Sequence, residues 1–371
     1  MDTAMTRDKE YSTNQPIDNP PGQAPLYLAF ELGWSQWKLG FSVGLGQRPR
    51  ERTIDARDLG TLEQEIQWSR KRFGLPENAP VRSCYEAGRD GFWLHRYLIQ
   101  AGVENQIVDS ASIEVNRRAK RAKTDRMDVT KLLTMLIRYH EGEKKVWHVI
   151  RVPSTADEDS RNLHRELETL KGERTQHTNR LKGWLAGQGV QLEVTPSFLE
   201  ELEQIKLWDG NPLPSGLHTR LAREYERRQD VQKQIRGLEK ERLEAIRHAE
   251  GSAVEQVRRL LRLKGIGVNS AWLYVMEFFS WRQFRNRREV GALAGLTPMP
   301  YQSGESSHEQ GISKAGNKHI RAIGIELAWG WLRFQPDSQL SRWYQTRFGT
   351  GSSRLRRIGI VALARKLLIA L

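Results

Sequence analysis

The sequence predicts a mixed α/β domain, a helical arm and a mostly helical C-terminal domain, which is an α/β fold class followed by an all-α one. From Leu26 the chain has three short extended segments, two of them apolar, and alternating helical and extended patterns follow them. Two long charged segments with apolar residues three and four apart come next, and apolar helical segments separated by turns follow. We place the three domains at 26–150, 151–255 and 256–371, after a disordered lead-in at 1–25.

The composition favours a nucleic-acid or other polyanionic partner. The 371 residues carry a net charge of +14. A single cysteine, Cys84, excludes an internal disulfide framework and a cysteine-based zinc site, and it fits a reducing compartment. No apolar run approaches the roughly 20 residues that a membrane span needs, and the N-terminus is polar. We therefore expect a cytoplasmic protein with no membrane partner.

The N-terminal domain is predicted to contain a mixed sheet with helices on its faces. Two apolar strands are predicted at Leu26–Trp34 and Trp37–Val43, and a third, more polar one at Arg52–Ala56; together they form an antiparallel meander. The pattern then alternates between helix and strand: a helix at 59–73, a strand at 81–85, a helix at 92–101, a strand at 105–108 and a helix from Asp125.

Four carboxylates are expected to converge in this domain. Glu31 interrupts an apolar strand, where an acid is costly unless it is paired or bound to a cation. Glu86 ends another strand, and Asp125 and Asp128, three apart, share one face of a helix. Each alone has an ordinary explanation: an edge-strand acid, a loop acid, a helix cap and a first-turn acid. Together they predict the arrangement of an RNase H-like nuclease core that holds Mg²⁺ (or Mn²⁺).

A dense cationic segment comes directly before the helical pair of acids. Arg117, Arg118, Lys120, Arg121 and Lys123 lie within seven residues and end two positions before Asp125. Such a segment is typical of contact with a phosphate backbone. The sequence therefore predicts nucleic acid beside the metal site.

The middle of the chain predicts a helical hairpin or coiled coil. The charged segments 157–188 and 217–248 flank a Pro- and Gly-containing break at 208–216. This arm has two compatible interpretations: a solvated structural support, or a dimerisation element whose basic faces contact nucleic acid. In the second segment, an approximate three-and-four spacing joins Leu217, Leu221, Tyr225, Val231, Ile235, Leu238 and Ile246.

The last third contains a glycine turn and a Gly-, Ser- and Pro-rich region. The glycine turn is Lys264-Gly265-Ile266-Gly267, and an apolar helix follows it. This pattern fits a helix-hairpin-helix turn, in which backbone amides can approach a phosphate. The alternative is a plain turn between two helices. From Gly295 to Asn317 the composition predicts a loop before a helix at 320–334.

Several of these motifs resemble one known family. Leu28–Trp34, Tyr85–Gly88 and Ala122–Asp128 resemble the successive acidic motifs of the DEDD transposases of insertion-sequence family 110, which carry a RuvC-like domain. The family usually has Asp where this chain has Glu31. The order Gly-Leu-Thr-Pro, Ser-Gly and Ile-Ser-Lys-x-Gly-Asn between Gly295 and Asn317 is similar to their C-terminal domain, whose required serine corresponds to Ser303.

The resemblance implies a recombinase that cuts and rejoins DNA strands to move an insertion sequence. It further implies Ser303 as nucleophile, a structured guide (bridge) RNA that pairs with donor and target DNA, and a homo-oligomer, dimer or tetramer. Tyr301, Ser306 and Ser307 are the rival nucleophiles nearby. A site-specific DNA invertase of the same family and an inactive nucleic-acid-binding scaffold are the alternative functions. In the C-terminal domain we expect nucleic-acid contacts at Lys264, Gly265, Gly267 and Lys314.

Overall fold

The computed structural model describes residues 24–113, 125–303 and 306–371. The predicted basic segment Arg117–Lys123 and most of the predicted lead-in lie outside these residues. The chain divides into two compact units with the boundary between Val152 and Pro153.

The first unit is built on a five-stranded mixed sheet, as predicted. The strand order is β3-β2-β1-β4-β5; β1, β2 and β3 pair antiparallel, and β1, β4 and β5 pair parallel. The strands are β1 (Leu26–Leu32), β2 (Gln36–Ser42), β3 (Arg50–Asp55), β4 (Val81–Glu86) and β5 (Glu104–Val108). The helices are α1 (Leu59–Arg72), α2 (Trp93–Gln100) and α3 (Asp125–His140).

Helices cover both faces of this sheet. Successive side chains along a strand point to opposite faces, and here both sets are buried. Along β1, Leu28 and Phe30 pack with α1 and α2, whereas Tyr27 and Ala29 pack with α3. The lone cysteine, Cys84, is fully buried on the α3 face, and burial raises the pKa of its thiol far above the ordinary value. It is therefore a small core side chain and not a reactive thiol.

The second unit begins with a helical hairpin. A capping box starts α4 (Thr155–Ala186): Ser154 Oγ accepts from the Asp157 amide at 3.1 Å, and the Ser154 amide donates to the Asp157 carboxylate at 3.3 Å. The chain turns through the short α5 (Phe198–Glu203) and returns along α6 (Ser215–His248).

The two long helices pack against each other through the apolar positions that the sequence indicated. Leu167 and Leu170 of α4 meet Val231 and Ile235 of α6 in one cluster. The other predicted positions of α6 are also buried or partly buried against apolar neighbours, which confirms the helical hairpin: Leu217, Leu221, Tyr225, Leu238 and Ile246.

The rest of the second unit is a helical core that carries a two-stranded sheet. Its helices are α7 (Ser252–Leu261), α8 (Val268–Tyr274), α9 (Arg287–Leu293), α10 (Lys318–Phe334), α11 (Gln339–Tyr344) and α12 (Ser353–Ala370). A π-helical turn, Val275–Phe279, continues α8. The sheet pairs β6 (Pro298–Ser303) with β7 (Ser306–Ile312) antiparallel.

The prediction of a loop between Gly295 and Asn317 was wrong for most of these residues. Backbone pairing joins Tyr301 to His308 and Ser303 to Ser306, so these residues form a β-hairpin. No strand pattern is visible in these residues, because a two-stranded ribbon can form by backbone hydrogen bonds alone, without the alternation of apolar residues that a sheet over a core requires.

Within 24–113, 125–303 and 306–371, no helix is both long enough and apolar enough to cross a membrane.

Candidate functional site

Glu31 and Glu86 stand at the same edge of the sheet in the first unit. They come one residue after Phe30 and Tyr85, which are register partners on the parallel strands β1 and β4. Because side chains alternate along a strand, both carboxylates follow the parity of Ala29 and Cys84, on the α3 face. The structure therefore brings two of the four predicted acids to neighbouring positions at the carboxyl ends of parallel strands.

The helix α3 begins near this edge and runs toward the opposite end of the sheet. Its C-terminal His140 makes a ring contact with Tyr27 near the start of β1, with 5.9 Å between ring centroids. Nearer its N-terminus, Val129 packs on Gly40, so closely that a Cβ on Gly40 would overlap the valine, and Gly40 pairs with Ala29. The helix is therefore antiparallel to β1, and its first turn, Asp125–Asp128, is at the end where Glu31 stands.

The surroundings of Glu31 suit a charged ligand. Lys38 of β2 is its register partner, and the two residues line an open cleft of about 270 Å³ together with Gly33, Ser35 and Gln36. Glu86 is exposed to solvent. Among the side chains that the structure describes, no three of the His, Cys, Asp and Glu type cluster as a metal site would. The side chains of Asp125 and Asp128 are outside that description.

The predicted glycine turn joins α7 to α8 in the second unit. Lys264 and Gly267 are exposed there. Gly265 has a φ of 91° and lies against Phe334 of α10, so that an added Cβ would be 3.4 Å from the Phe334 Cβ. The Lys264 carbonyl accepts a hydrogen bond from Gln335 Nε2 at 2.9 Å. The positive φ thus accounts for Gly265, and phosphate binding by this turn stays a prediction.

Ser303 is the last residue of β6, opposite Ser306 at the far end of the hairpin. The rivals Tyr301 and Ser307 belong to the same ribbon, paired with His308 and Gln302. The structure thus gathers every serine and tyrosine considered at the sequence level into one hairpin, and backbone pairing does not separate them.

The two ends of the hairpin are fixed to each other by two glycines. A Cβ on Gly295, before β6, would overlap the Ala315 carbonyl, and a Cβ on Gly316, after β7, would overlap the Leu293 carbonyl. Backbone hydrogen bonds join the same segments, with the Lys314 amide donating to the Gly295 carbonyl at 3.1 Å. The Gly-Leu-Thr-Pro and Lys-x-Gly-Asn motifs therefore form the base that orients the strand carrying Ser303. Lys314 is exposed at this base with a φ of 55°.

A buried acid, Glu277, ties this base to the helical core. Its side chain is 1% exposed and accepts two hydrogen bonds from Arg165 of α4, at 2.6 and 3.2 Å. It also accepts from Asn317 Nδ2 at 3.2 Å, while Asn317 Oδ1 caps α10 by accepting from the amides of His319 and Ile320. Burial raises the pKa of Glu277, but the Arg165 hydrogen bonds, the charges of Arg165 and Arg161 and the Asn317 amide lower it by more.

Glu277 was missed at the sequence level, although a signal was present. It is an acid inside the apolar segment that was predicted as the helix after the glycine turn. That is the pattern that drew attention to Glu31, and the same argument about the cost of an unpaired buried charge applies to it. Its partners, Arg165 and Asn317, are 112 and 40 residues away in sequence.

Glu277→Ala is expected to lower the free energy of unfolding of the second unit by about 3 kcal/mol, because Arg165 and Asn317 lose a buried acceptor and Arg161 loses a nearby negative charge. Calorimetric melting of the full chain measures this. Glu326→Ala, at an exposed position of α10, is the control and is expected to melt like the wild type.

The same residue sets a pH dependence. Since the pKa of Glu277 is lowered from the ordinary glutamate value in the folded chain, its contribution is complete above that ordinary value and disappears as the pH falls through the folded pKa. Acidification should therefore destabilise the wild type more than Glu277→Gln. Equal acid sensitivity in the two proteins would contradict the assigned pKa shift.

The comparisons with known proteins agree on one function. Residues 257–345, which contain the glycine turn, the serine hairpin and α10, match the model of the transposase IS116/IS110/IS902 family. Over 359 residues the chain is 41% identical to "Putative transposase y4rJ" of Sinorhizobium fredii, covering 93% of this chain and 90% of the relative. Over 177 residues it is 28% identical to the transposase for insertion sequence element IS1328 of Yersinia enterocolitica, covering 47% and 51%.

The fold and these similarities define a DNA transposase, a protein that binds DNA. The chain belongs to the IS116/IS110/IS902 transposase family.

Proposed function

We propose that this transposase cuts and rejoins DNA by combining a metal-binding acidic edge with a serine nucleophile. The observation that carries the proposal is the placement of Glu31 and Glu86 at neighbouring positions of one sheet edge, toward which the N-terminus of α3 is directed. This is the layout that an RNase H-like nuclease core requires.

The donor set fits a hard divalent cation. Carboxylate oxygens are the ligands that Mg²⁺ and Mn²⁺ prefer, and Glu31, Glu86, Asp125 and Asp128 would supply them. The cation, when bound, would polarise the phosphate and neutralise charge that develops on its oxygens. The basic segment of five cations between Arg117 and Lys123 precedes α3 directly in sequence, and it would hold the phosphate backbone beside that edge.

Ser303 is the proposed nucleophile. A serine ester with the DNA phosphate would conserve the energy of the broken phosphodiester, whereas water would discard it, and rejoining needs that energy. Its place at the end of a ribbon with a fixed base supports this role, since a nucleophile has to be oriented before it reacts. Lys264, Gly267 and Lys314 are exposed and are proposed as further phosphate contacts.

A guide RNA and a homo-oligomer belong to the proposal as well. The helical hairpin of α4 and α6 carries the exposed cations that such an RNA, or a second copy of the chain, would contact. A DNA invertase would use the same residues on inverted sites of one DNA. The DNA substrate that is recombined therefore distinguishes a transposase from an invertase.

The test is strand transfer by the purified wild-type protein. The protein is incubated with Mg²⁺, with the RNA that copurifies and with DNA carrying the sequence to which that RNA pairs. We expect cleaved and rejoined strands that depend on both the metal and the RNA. Recombination only between inverted sites on one DNA would favour the invertase, and binding without cleavage in any metal would favour the inactive scaffold.

A further inference from the structure

An exposed tryptophan beside the acidic edge has no role in the function described so far. Trp34 is in the turn between β1 and β2, three residues after Glu31, and its side chain is 69% exposed. Tryptophan side chains are large and on average mostly buried in folded proteins. An indole that remains in water at the edge of a candidate active site is typical of a surface that binds a ligand.

Two arginines stack on this ring from neighbouring loops. The Arg57 guanidinium is 5.2 Å from the ring centroid and the Arg89 guanidinium is 5.0 Å from it. Arg57 follows β3 and Arg89 follows β4, so three loops at the same sheet edge contribute to one cluster. We call Trp34, Arg57 and Arg89 the tryptophan platform.

The platform is held in place by the backbone and by a buried acid. Asp90, whose side chain is 6% exposed, contacts Arg57 at 3.6 Å and Arg89 at 3.4 Å. Arg57 has a φ of 70°, a conformation that residues with side chains adopt rarely, and the adjacent Ala56 amide donates to the Ser35 carbonyl at 2.9 Å. A strained residue that is fixed in this way is typical of a functional site.

The charge of the platform selects the ligand. One carboxylate faces two guanidiniums, which leaves one positive charge beside an aromatic residue that is largely exposed. Aromatic rings with adjacent cations bind unpaired nucleotides, because the base stacks on the ring and the cation contacts the phosphate. Duplex DNA hides its base faces and would leave the ring unused.

We propose that the tryptophan platform binds an unpaired base of the nucleic acid next to the phosphate that reacts at the acidic edge. The base belongs to an opened DNA strand or to an RNA strand, which present the same stacking face. Only the position beside the reacting phosphate rests on the proposed function, because the stacking itself needs no metal and no cleavage.

The test measures binding in EDTA, where strand cleavage does not interfere. Short single-stranded DNA and RNA of the same sequence carry 2-aminopurine, whose emission falls when it stacks on an aromatic ring. Trp34→Ala is expected to weaken single-strand binding by about tenfold and to remove the fall in emission, while Trp34→Phe restores most of both. The salt dependence of binding should stay near that of the wild type in Trp34→Ala, since no phosphate contact is lost.

Trp68 provides the matched control, because it is an exposed tryptophan of the same unit, on α1 and 54% exposed. Trp68→Ala is expected to bind and quench like the wild type. If Trp34→Ala loses affinity and quenching only with DNA, or only with RNA, the result supports the platform and identifies the kind of strand that it binds. Wild-type affinity and quenching in Trp34→Ala would overturn the proposal, as would an unchanged affinity with a changed oligomeric mass, which would make Trp34 a protein contact.

Discussion

Glu86→Gln and Asp128→Asn are each expected to lower the rate of metal-dependent DNA cleavage by on the order of a hundredfold or more, while DNA binding stays close to wild type. An amide keeps the shape of the side chain but removes the negative charge that a divalent cation needs, and the remaining carboxylates then under-coordinate the ion. Single-turnover cleavage of labelled DNA in Mg²⁺ gives the rate, and binding in EDTA gives the affinity.

Glu104→Gln is the control for this experiment. Glu104 begins β5 at the opposite end of the sheet from Glu86 and pairs with Arg82 at 3.1 Å, so its loss should leave cleavage unchanged. Wild-type cleavage in Glu86→Gln would remove that residue from the metal site, and wild-type cleavage in Asp128→Asn would contradict the acidic edge altogether.

Ser303→Ala is expected to abolish the covalent protein–DNA adduct and strand rejoining, because the methyl group has no oxygen to form the phosphate ester. Denaturing electrophoresis of reactions stopped in Mg²⁺ detects the adduct as protein that carries labelled DNA. Ser306→Ala, which changes the register partner of Ser303 across the hairpin, is the matched variant and should still form it.

The outcomes of that experiment identify the nucleophile. Adduct at wild-type levels in Ser303→Ala, together with loss in Ser306→Ala, would transfer the role to Ser306. If the wild type cleaves DNA but neither it nor any variant forms an adduct, water is the nucleophile. That result would contradict a serine mechanism.

Periodicity predicted the elements whose burial repeats along the chain. The strands of the mixed sheet and the three-and-four spacing of α6 are encoded locally, since one apolar face is required wherever an element packs on a core. The acids Glu31 and Glu86 were found because each breaks or ends such an apolar strand.

The remaining features depend on contacts between residues far apart in sequence. The β6–β7 hairpin needs only backbone pairing, so its Ser- and Gly-rich residues resembled a loop. The partners of Glu277 come from two other helices or their caps, and the Asp90 contacts that hold Arg57 and Arg89 join loops after different strands. No local pattern in one sequence encodes such pairings.

The helical hairpin of the second unit has a consequence for spacing. At 1.5 Å per residue, the 32 residues of α4 make a rod of about 48 Å. Apolar packing and the buried Glu224 of α6, which contacts His177 of α4 at 2.7 Å and also pairs with Arg180 of α4, oppose sliding of the two helices past each other. The length of the rod therefore sets a spacing. Two DNA sites bound at its two ends would be about 48 Å apart, which corresponds to about 14 base pairs of straight DNA at 3.4 Å per pair.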